Sequence, residues 1–260
     1  MKKIAIMQPT FLPWIGYIAM MDHVDEFVFL DHVPINKRSW QTRNKIKTPA
    51  GEQLISVPVN AHQGQSIGSV TIAGSVDKIS RAIMQNYIGS PYYLKYGMEI
   101  INILSKKHHY LCSLNLHLLE YFIKEFGIKT KFSCSSDLNL DTNKSELLAD
   151  ICRLKKADEY ISAPGSKEYL DESVFDCPVS YFNYDHPVYK QRHGDFLPYM
   201  SIVDFLCNEG ANIDLIRTGI SGDTGTEGIK ADTGEEHEDV PRETDNPVDD
   251  RSRDRIGSIQ

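Results

Sequence analysis

The sequence predicts an α/β fold: a Rossmann-like parallel sheet with helices on both faces and a helical insertion. Three observations predict it. Residues 3–8 (KIAIMQ) and 26–31 (EFVFLD) are short runs of nearly continuous apolar character, as strands buried on both faces are. A helical stretch over residues 14–23 separates them, and a strand–helix–strand unit of about 30 residues implies a parallel crossover. Strand and helix patterns alternate again after residue 128, beyond a block of amphipathic helices.

The remaining elements follow in order. Residues 54–59 and 70–73 read as strands separated by a Gly-containing turn. Residues 76–87 read as a helix with Ser75 as the N-cap candidate. Apolar residues at three- and four-residue intervals mark helices over 93–104 and Leu111–Phe126. Gly127 supplies the C-terminal stop of the second of these. A strand is expected over 129–134 and a helix over 144–157, capped by Thr142 or Asn143. Next come a strand at Glu159–Ser162, a helix around 167–175, a strand over 179–184 and a last helix over 201–207.

Composition narrows the function classes. The net charge of −8 is concentrated at one end: residues 219–260 carry twelve acids and five bases, and the first 218 residues hold 24 acids and 23 bases. A nearly neutral domain offers no nucleic-acid footprint, which needs a strongly basic face. Residues 219–260 contain no aromatic residue and cannot bury enough apolar surface to offset chain entropy. The expected organisation is therefore an α/β domain over residues 1–218 and a disordered acidic tail over 219–260. No apolar run approaches the ~20 residues of a transmembrane helix. The N-terminal apolar run lacks the h-region and cleavage site of a signal peptide, so a cytoplasmic location is expected. The five cysteines are dispersed, and no Cys or His pair has zinc-ligand spacing. Free thiols and no metal site are expected.

Four loops gather the chemistry-bearing residues. The first, Gln8 to Tyr17, joins a strand to a helix, where N–H groups at a helix N-terminus suit phosphate. Gln8 and Thr10 can donate to a phosphate or sugar, and Gly16 permits close approach. The second runs from Asp31 and His32 to Lys45. Lys37, Arg38, Arg43, Lys45 and Lys47 place five cations in eleven residues, with Trp40, Gln41 and Asn44 interleaved. Arginine forks suit phosphate or carboxylate, and Trp40 suits a stacked base or sugar. The third, Ser162 to Leu170, again runs from strand through a small-residue turn, with Gly165 and Lys167 placed for an anion. The fourth runs from Tyr184 to Phe196. It contains Asp185, His186 and His193, a candidate general base with an orienting carboxylate. His108 and His109 read as solvated residues at a helix junction.

These residues together resemble the WbqC-like family. Its opening QPxFxPxxGY is met by Gln8 through Tyr17, and its D-x-F-V-x-x-D strand by Asp25, Phe27, Val28 and Asp31. Its KRxWxxRNxI is met by Lys37, Arg38, Trp40, Arg43, Asn44 and Ile46, and VPV by Val57-Pro58-Val59. Ser162, Gly165, Tyr169 and Leu170 match the later S-x-x-G-x-x-x-YL motif. The segment from His186 to Leu206 matches HPVYxQxxGxFxPxxSIxDxL. The resemblance spans residues 3–218 and departs at Ala163-Pro164, where small residues or glycine are usual.

It implies a transferase of acyl or aminoacyl (glycyl) groups, acting on an amino-sugar or nucleotide-sugar in surface polysaccharide (O-antigen) biosynthesis. ATP or an acyl-CoA is the implied donor chemistry, and no nucleic-acid partner is implied. On this reading Gln8, Thr10, Gly16 and Tyr17 hold phosphate or ribose. Lys37, Arg38, Arg43 and Asn44 neutralise or bind a diphosphate or carboxylate beside Trp40, Ser162, Gly165 and Lys167 add an anion loop, and His186 with Asp185 is the base. Residues 9–33 also resemble the opening of nucleotidyltransferases with an HxGH-type motif. Tyr17 stands in place of the second histidine there, and no first histidine is present. Residues 162–170 are similar to a phosphate loop of pantothenate synthetase. An ATP-dependent ligase or nucleotidyltransferase-like enzyme is thus one alternative, and a non-catalytic nucleotide-sugar-binding module is the other.

Overall fold

The computed structural model describes residues 1–35 and 39–221. Five parallel strands form the central sheet: β1 (Lys3–Met7), β2 (Glu26–Phe29), β7 (Lys131–Cys134), β8 (Glu159–Ser162) and β9 (Val179–Tyr181). Their spatial order is β7-β2-β1-β8-β9. The chain moves outward from β1 through β2 to β7, then returns to the other side of β1 for β8 and β9. This is the 3-2-1-4-5 order of a Rossmann-like sheet.

Period-2 alternation divides the core. Ala5, Phe27, Phe29 and Ile161 point to one face and pack with α1 (Ile15–His23), α2 (Asp77–Tyr87), α3 (Met98–Ser105), α4 (Leu111–Phe126) and α6 (Ile202–Glu209). Ile4, Ile6, Val28 and Tyr160 point to the other and pack with Leu147, Ile151 and Cys152 of α5 (Lys144–Lys155). Helices on both faces explain why β1 and β2 carry no polar alternation.

The insertion between β2 and β7 holds more than helices. Residues 43–48, read from the sequence as part of a basic loop, form β3 (Arg43–Thr48), paired antiparallel with β4 (Gly51–Ser56). Its alternating cations read as loop chemistry, but Arg43 and Lys45 are half-buried and Lys47 is buried with Nζ on Gln191 Oε1, while Asn44, Ile46 and Thr48 are buried between them. A second pair joins β5 (Val59–Asn60) to β6 (Thr71–Ile72). The helix expected over 93–104 opens instead as a π-helical turn, Tyr93–Gly97, followed by α3. There the buried Tyr93 ring crosses Gly97, where a Cβ would lie 2.4 Å from it. The helix expected around 167–175 is two 3-10 turns, Pro164–Glu168 and Glu172–Val174. Leu170 and Phe175 anchor that segment in the core, and two apolar contacts five residues apart make no helical stripe. A short α7 (Ile213–Arg217) closes the described chain. Val76, not the expected Ser75, is the N-cap of α2; Ser75 Oγ, one residue earlier, accepts from Asp77 N at 3.0 Å, and Gly127 ends α4 at φ 66°. All five cysteines are free. Among the described residues no helix is long and apolar enough to cross a membrane.

The amino rim of the sheet is closed by ions. Glu26 is wholly buried at the start of β2, and its carboxylate lies 2.8 Å from both Lys2 Nζ and Lys155 Nζ. Burial alone pushes this carboxyl up. The hydrogen bonds and charges of Lys155 and Lys2 outweigh burial and leave it at about 2. A depressed carboxyl stabilises the fold fully above its unfolded value of 4.5, and the stabilisation drains away as pH falls through about 2. Glu26→Gln should cost about 3–5 kcal/mol at neutral pH by leaving two ammonium groups unpaired. It should also flatten the acid limb of stability, as urea unfolding across pH 2–7 would read.

Candidate functional site

Ligands of open parallel sheets sit beyond the carboxyl ends of the strands, at the point where strand order reverses. Here that point lies between β1 and β8, flanked by the loops after each. Gln8, Thr10, Gly16 and Tyr17 therefore share a rim with Ser162, Gly165 and Lys167. Most of these side chains already have work inside the protein.

Residues 9–13 are buried without regular structure, so their carbonyls need donors. Tyr17 Oη donates to Gln8 O at 2.9 Å, and Asn115 Nδ2 to Pro9 O at 2.9 Å. Asn44 Nδ2 donates to Phe11 O at 3.1 Å and Leu12 O at 2.9 Å. Ile202 N reaches Pro13 O at 2.6 Å. Gln8 Oε1 accepts from Gln41 Nε2, and Thr10 Oγ1 turns back to Gln8 O. Leu12 sits at φ 43°, in the left-handed region, and is held there by these bonds. Tyr17 and Asn44 are thus fasteners of the loop. Gly16 admits a protein ring: a Cβ would lie 2.2 Å from the Trp14 indole. The expected close approach at Gly16 is made by Trp14.

Trp14 in turn stacks on His186, with centroids 6.0 Å apart at 18°. Phe196 and Tyr199 each approach the imidazole to 5.5 Å, and Tyr189 to 6.1 Å. Burial lowers the His186 pKa, so the ring is neutral at pH 7. Its Nδ1 lies 2.9 Å from Pro187 O, while Nε2 is buried without a partner. The orienting group is therefore a carbonyl and not the expected Asp185, which is exposed and accepts from Ser221 Oγ at 2.6 Å.

The remaining predicted residues divide. Trp40 is 42% exposed, and its backbone carbonyl accepts from Phe11 N at 2.9 Å. Arg43 Nε is buried with no hydrogen-bond partner. Ser162 Oγ lies 2.6 Å from Ser166 Oγ. Gly165 is exposed, and Lys167 Nζ sits 5.7 Å from the centre of the Tyr181 ring. The expected strand–turn–helix anion site at residues 162–170 loses its helix dipole, because a single 3-10 turn replaces the helix. Lys37 and Arg38 lie outside the described residues.

A cleft of about 710 Å³ opens on the same rim, beside the ends of β2 and β7. Its size falls within the roughly 300–1,000 Å³ of small-molecule sites. Asp31 and His32 enter from β2, Ser136 from beyond β7, and Tyr110, Cys112, Ser113, His117 and Glu120 from α4 and the residue before it. Asp31 is buried. Its Oδ1 accepts from Ser135 Oγ at 3.0 Å and Ser136 N at 2.9 Å, and its Oδ2 from Ser136 Oγ at 2.8 Å. His32 Nδ1 lies 2.6 Å from Ser135 Oγ. Burial, reinforced by the Asp31 charge, pushes the Cys112 thiol up to about 12 and the Cys134 thiol up to about 11. Both stay protonated near neutrality and are poor nucleophiles. His117 packs edge-on against His108 at 5.3 Å. No Lys or Arg is among the described residues that line the cleft. Among the described residues no three His, Cys, Asp or Glu converge as a metal site.

The sequence profile of the WbqC-like protein family matches residues 8–214. The chain belongs to the WbqC-like family. A relative in Mycobacterium tuberculosis (strain ATCC 25618 / H37Rv), "Uncharacterized protein Rv1507c", is 38% identical over 220 residues, covering 81% of this chain and 95% of that one. No solved structure matches.

The WbqC-like motifs now have physical content. The opening QPxFxPxxGY is the fastened loop with Trp14 lying over Gly16. The closing HPVYxQ…SIxDxL is a strap. Asp204, buried at 0% exposure, accepts from Tyr87 Oη at 2.9 Å and Tyr189 Oη at 2.8 Å. Gln191 Oε1 accepts from Lys47 Nζ at 3.0 Å and Leu197 N at 2.8 Å. Burial pushes the Asp204 carboxyl up against the pull of the Tyr189, Tyr87 and Gln191 hydrogen bonds.

Gly16→Ala should destabilise the WbqC-like domain by about 1–3 kcal/mol through overpacking, with a shifted Trp14 emission. His186→Phe should change stability by less than about 1 kcal/mol, since it removes both the orphan nitrogen and the Pro187 bond; thermal melting measures both.

Proposed function

We propose that this protein transfers an acyl or aminoacyl group, glycyl included, to the amine of an amino-sugar. That sugar is carried on a nucleotide or polysaccharide precursor, as in O-antigen assembly in the cytoplasm. The observation that carries the reading is the chemistry of the rim cleft. Its lining combines two carboxylates, two histidines and the hydroxyls of Ser66, Tyr110, Ser113 and Ser136. Hydroxyls and carboxylates suit a sugar, and carboxylates attract its ammonium group. The ammonium must lose a proton before it attacks, which a histidine near neutrality accomplishes. The amine nitrogen then bonds the acyl carbon, and the donor's thiolate or phosphate leaves with the bonding pair.

The donor has a candidate anchor in Arg43, whose guanidinium keeps an unpartnered, buried Nε. A charged oxygen from a carboxylate or phosphate is its natural complement. ATP-dependent ligation and nucleotidyl transfer draw less support from the cleft, because its described lining offers no Lys or Arg to a polyphosphate.

The test incubates the full chain with glucosamine and either acetyl-CoA or glycyl-CoA. Mass spectrometry should find glucosamine heavier by one acyl or glycyl group. Saturable glucosamine binding without product from either donor would favour the non-catalytic module and sink the transferase reading. Arg43→Ala should weaken donor binding by about 1–3 kcal/mol, read by calorimetry.

A further inference from the structure

We infer that His32 is the proton acceptor of the rim cleft, and that Ser135 and Asp31 hold it in the tautomer with its proton on Nδ1 and a bare Nε2. The inference rests on the acyl-transfer reading for its chemistry, but its geometry stands alone.

Hydrogen-bond bookkeeping around Ser135 decides the tautomer. The Ser135 hydroxyl is fully buried and touches three polar atoms: Asp31 N at 3.2 Å, Asp31 Oδ1 at 3.0 Å and His32 Nδ1 at 2.6 Å. The backbone N–H donates to it. The carboxylate only accepts, so the single hydroxyl proton goes to Asp31. His32 Nδ1 must then be the donor in the third contact. The reverse assignment would set a hydroxyl lone pair against the carboxylate at 3.0 Å. Ser136 locks the far side of Asp31 with its N–H and hydroxyl, so the carboxylate cannot turn away.

His186 and His117 each lack one part of this arrangement. His186 carries its proton on Nδ1 by the same logic, facing Pro187 O, but its Nε2 is enclosed among aromatic rings. His117 lines the cleft, but among the described residues no hydrogen bond fixes its tautomer. Among the described histidines, His32 alone both lines the cleft and has its ring fixed by a hydrogen bond.

In the transfer step, the amine proton passes to His32 Nε2 as the nitrogen–carbon bond forms and the donor's acyl–sulfur or acyl–oxygen bond breaks. The imidazolium keeps Nδ1–H on Ser135 Oγ, whose own proton stays on Asp31, so the ionised carboxylate stabilises the positive charge through the oriented hydroxyl. The proton then leaves with the departing group or to water. Ser135 and Asp31 are positioning residues in this step.

The first test is imidazole ¹⁵N NMR on the labelled full chain. The native His32 should show a protonated Nδ1 and a bare Nε2, and Ser135→Ala should produce a tautomer mixture. The second is turnover with glucosamine and acetyl-CoA, where His32→Gln should lower kcat about 100-fold with little change in KM. A native His32 protonated on Nε2, or a His32→Gln chain that turns over at the native rate, overturns the inference. A native Nδ1–H tautomer in a chain that acylates nothing supports this geometry and removes the acyl-transfer reading instead.

Discussion

The structure depends on satisfying the backbone of one buried, irregular loop. Residues 9–13 lie in the interior, where an unpaired carbonyl costs on the order of 1–3 kcal/mol. Asn44 of β3, Asn115 of α4, Tyr17 of α1 and the backbone of α6 each supply a donor. Three elements far apart in sequence, β3, α4 and α6, and the adjacent α1 are thereby indexed to the carboxyl end of β1. Asn115 also binds Gln41 O at 2.9 Å, so the loop and the approach to β3 share a single amide. The left-handed Leu12 is tolerable because those contacts over-determine it.

The same economy of donors and acceptors separates the two histidine environments. Around His186 the neighbours are Trp14, Tyr189, Phe196 and Tyr199, and the imidazole behaves as one more ring in a packed aromatic group. Around His32 the neighbours are hydroxyls and a carboxylate, arranged as a chain with one direction of polarity. The first arrangement suits rigidity; the second suits moving a proton. The polar ends of β2 and β7 make the difference, since they leave the sheet side by side in register, Phe29 opposite Cys134.

The sequence made the sheet legible because β1, β2 and β8 are so short and so apolar that helix is a poor alternative. Gly127 marked the end of α4 for a sound stereochemical reason, its left-handed backbone, while Ser75 fell one residue short of the N-cap of α2. The hairpin of β3 was hidden by its alternating cations, which look like loop chemistry when the inward Asn44 and Ile46 are not yet known to be inward. The rim position of Gln8, Thr10 and Ser162 was readable from strand order alone. What could not be read was how those side chains are occupied. Gly16 looked like room for a ligand and is room for an indole; Asp185 looked like the partner of the adjacent histidine and bonds Ser221. The cleft was least legible, because Asp31, Ser135 and His117 meet only through the β2–β7 pairing and the return of α4. A polar residue ending each of two apolar strands was the signal available, in Asp31 and in Ser135-Ser136.

The amide donors Asn44 and Asn115 both come from the stretch between β2 and β7. A chain trimmed of the β3–β4 hairpin would leave the carbonyls of Phe11 and Leu12 without the Asn44 amide. The hairpin is therefore part of what holds the interior of this fold. Without it the bend after the first strand would need water or another donor in place of that amide.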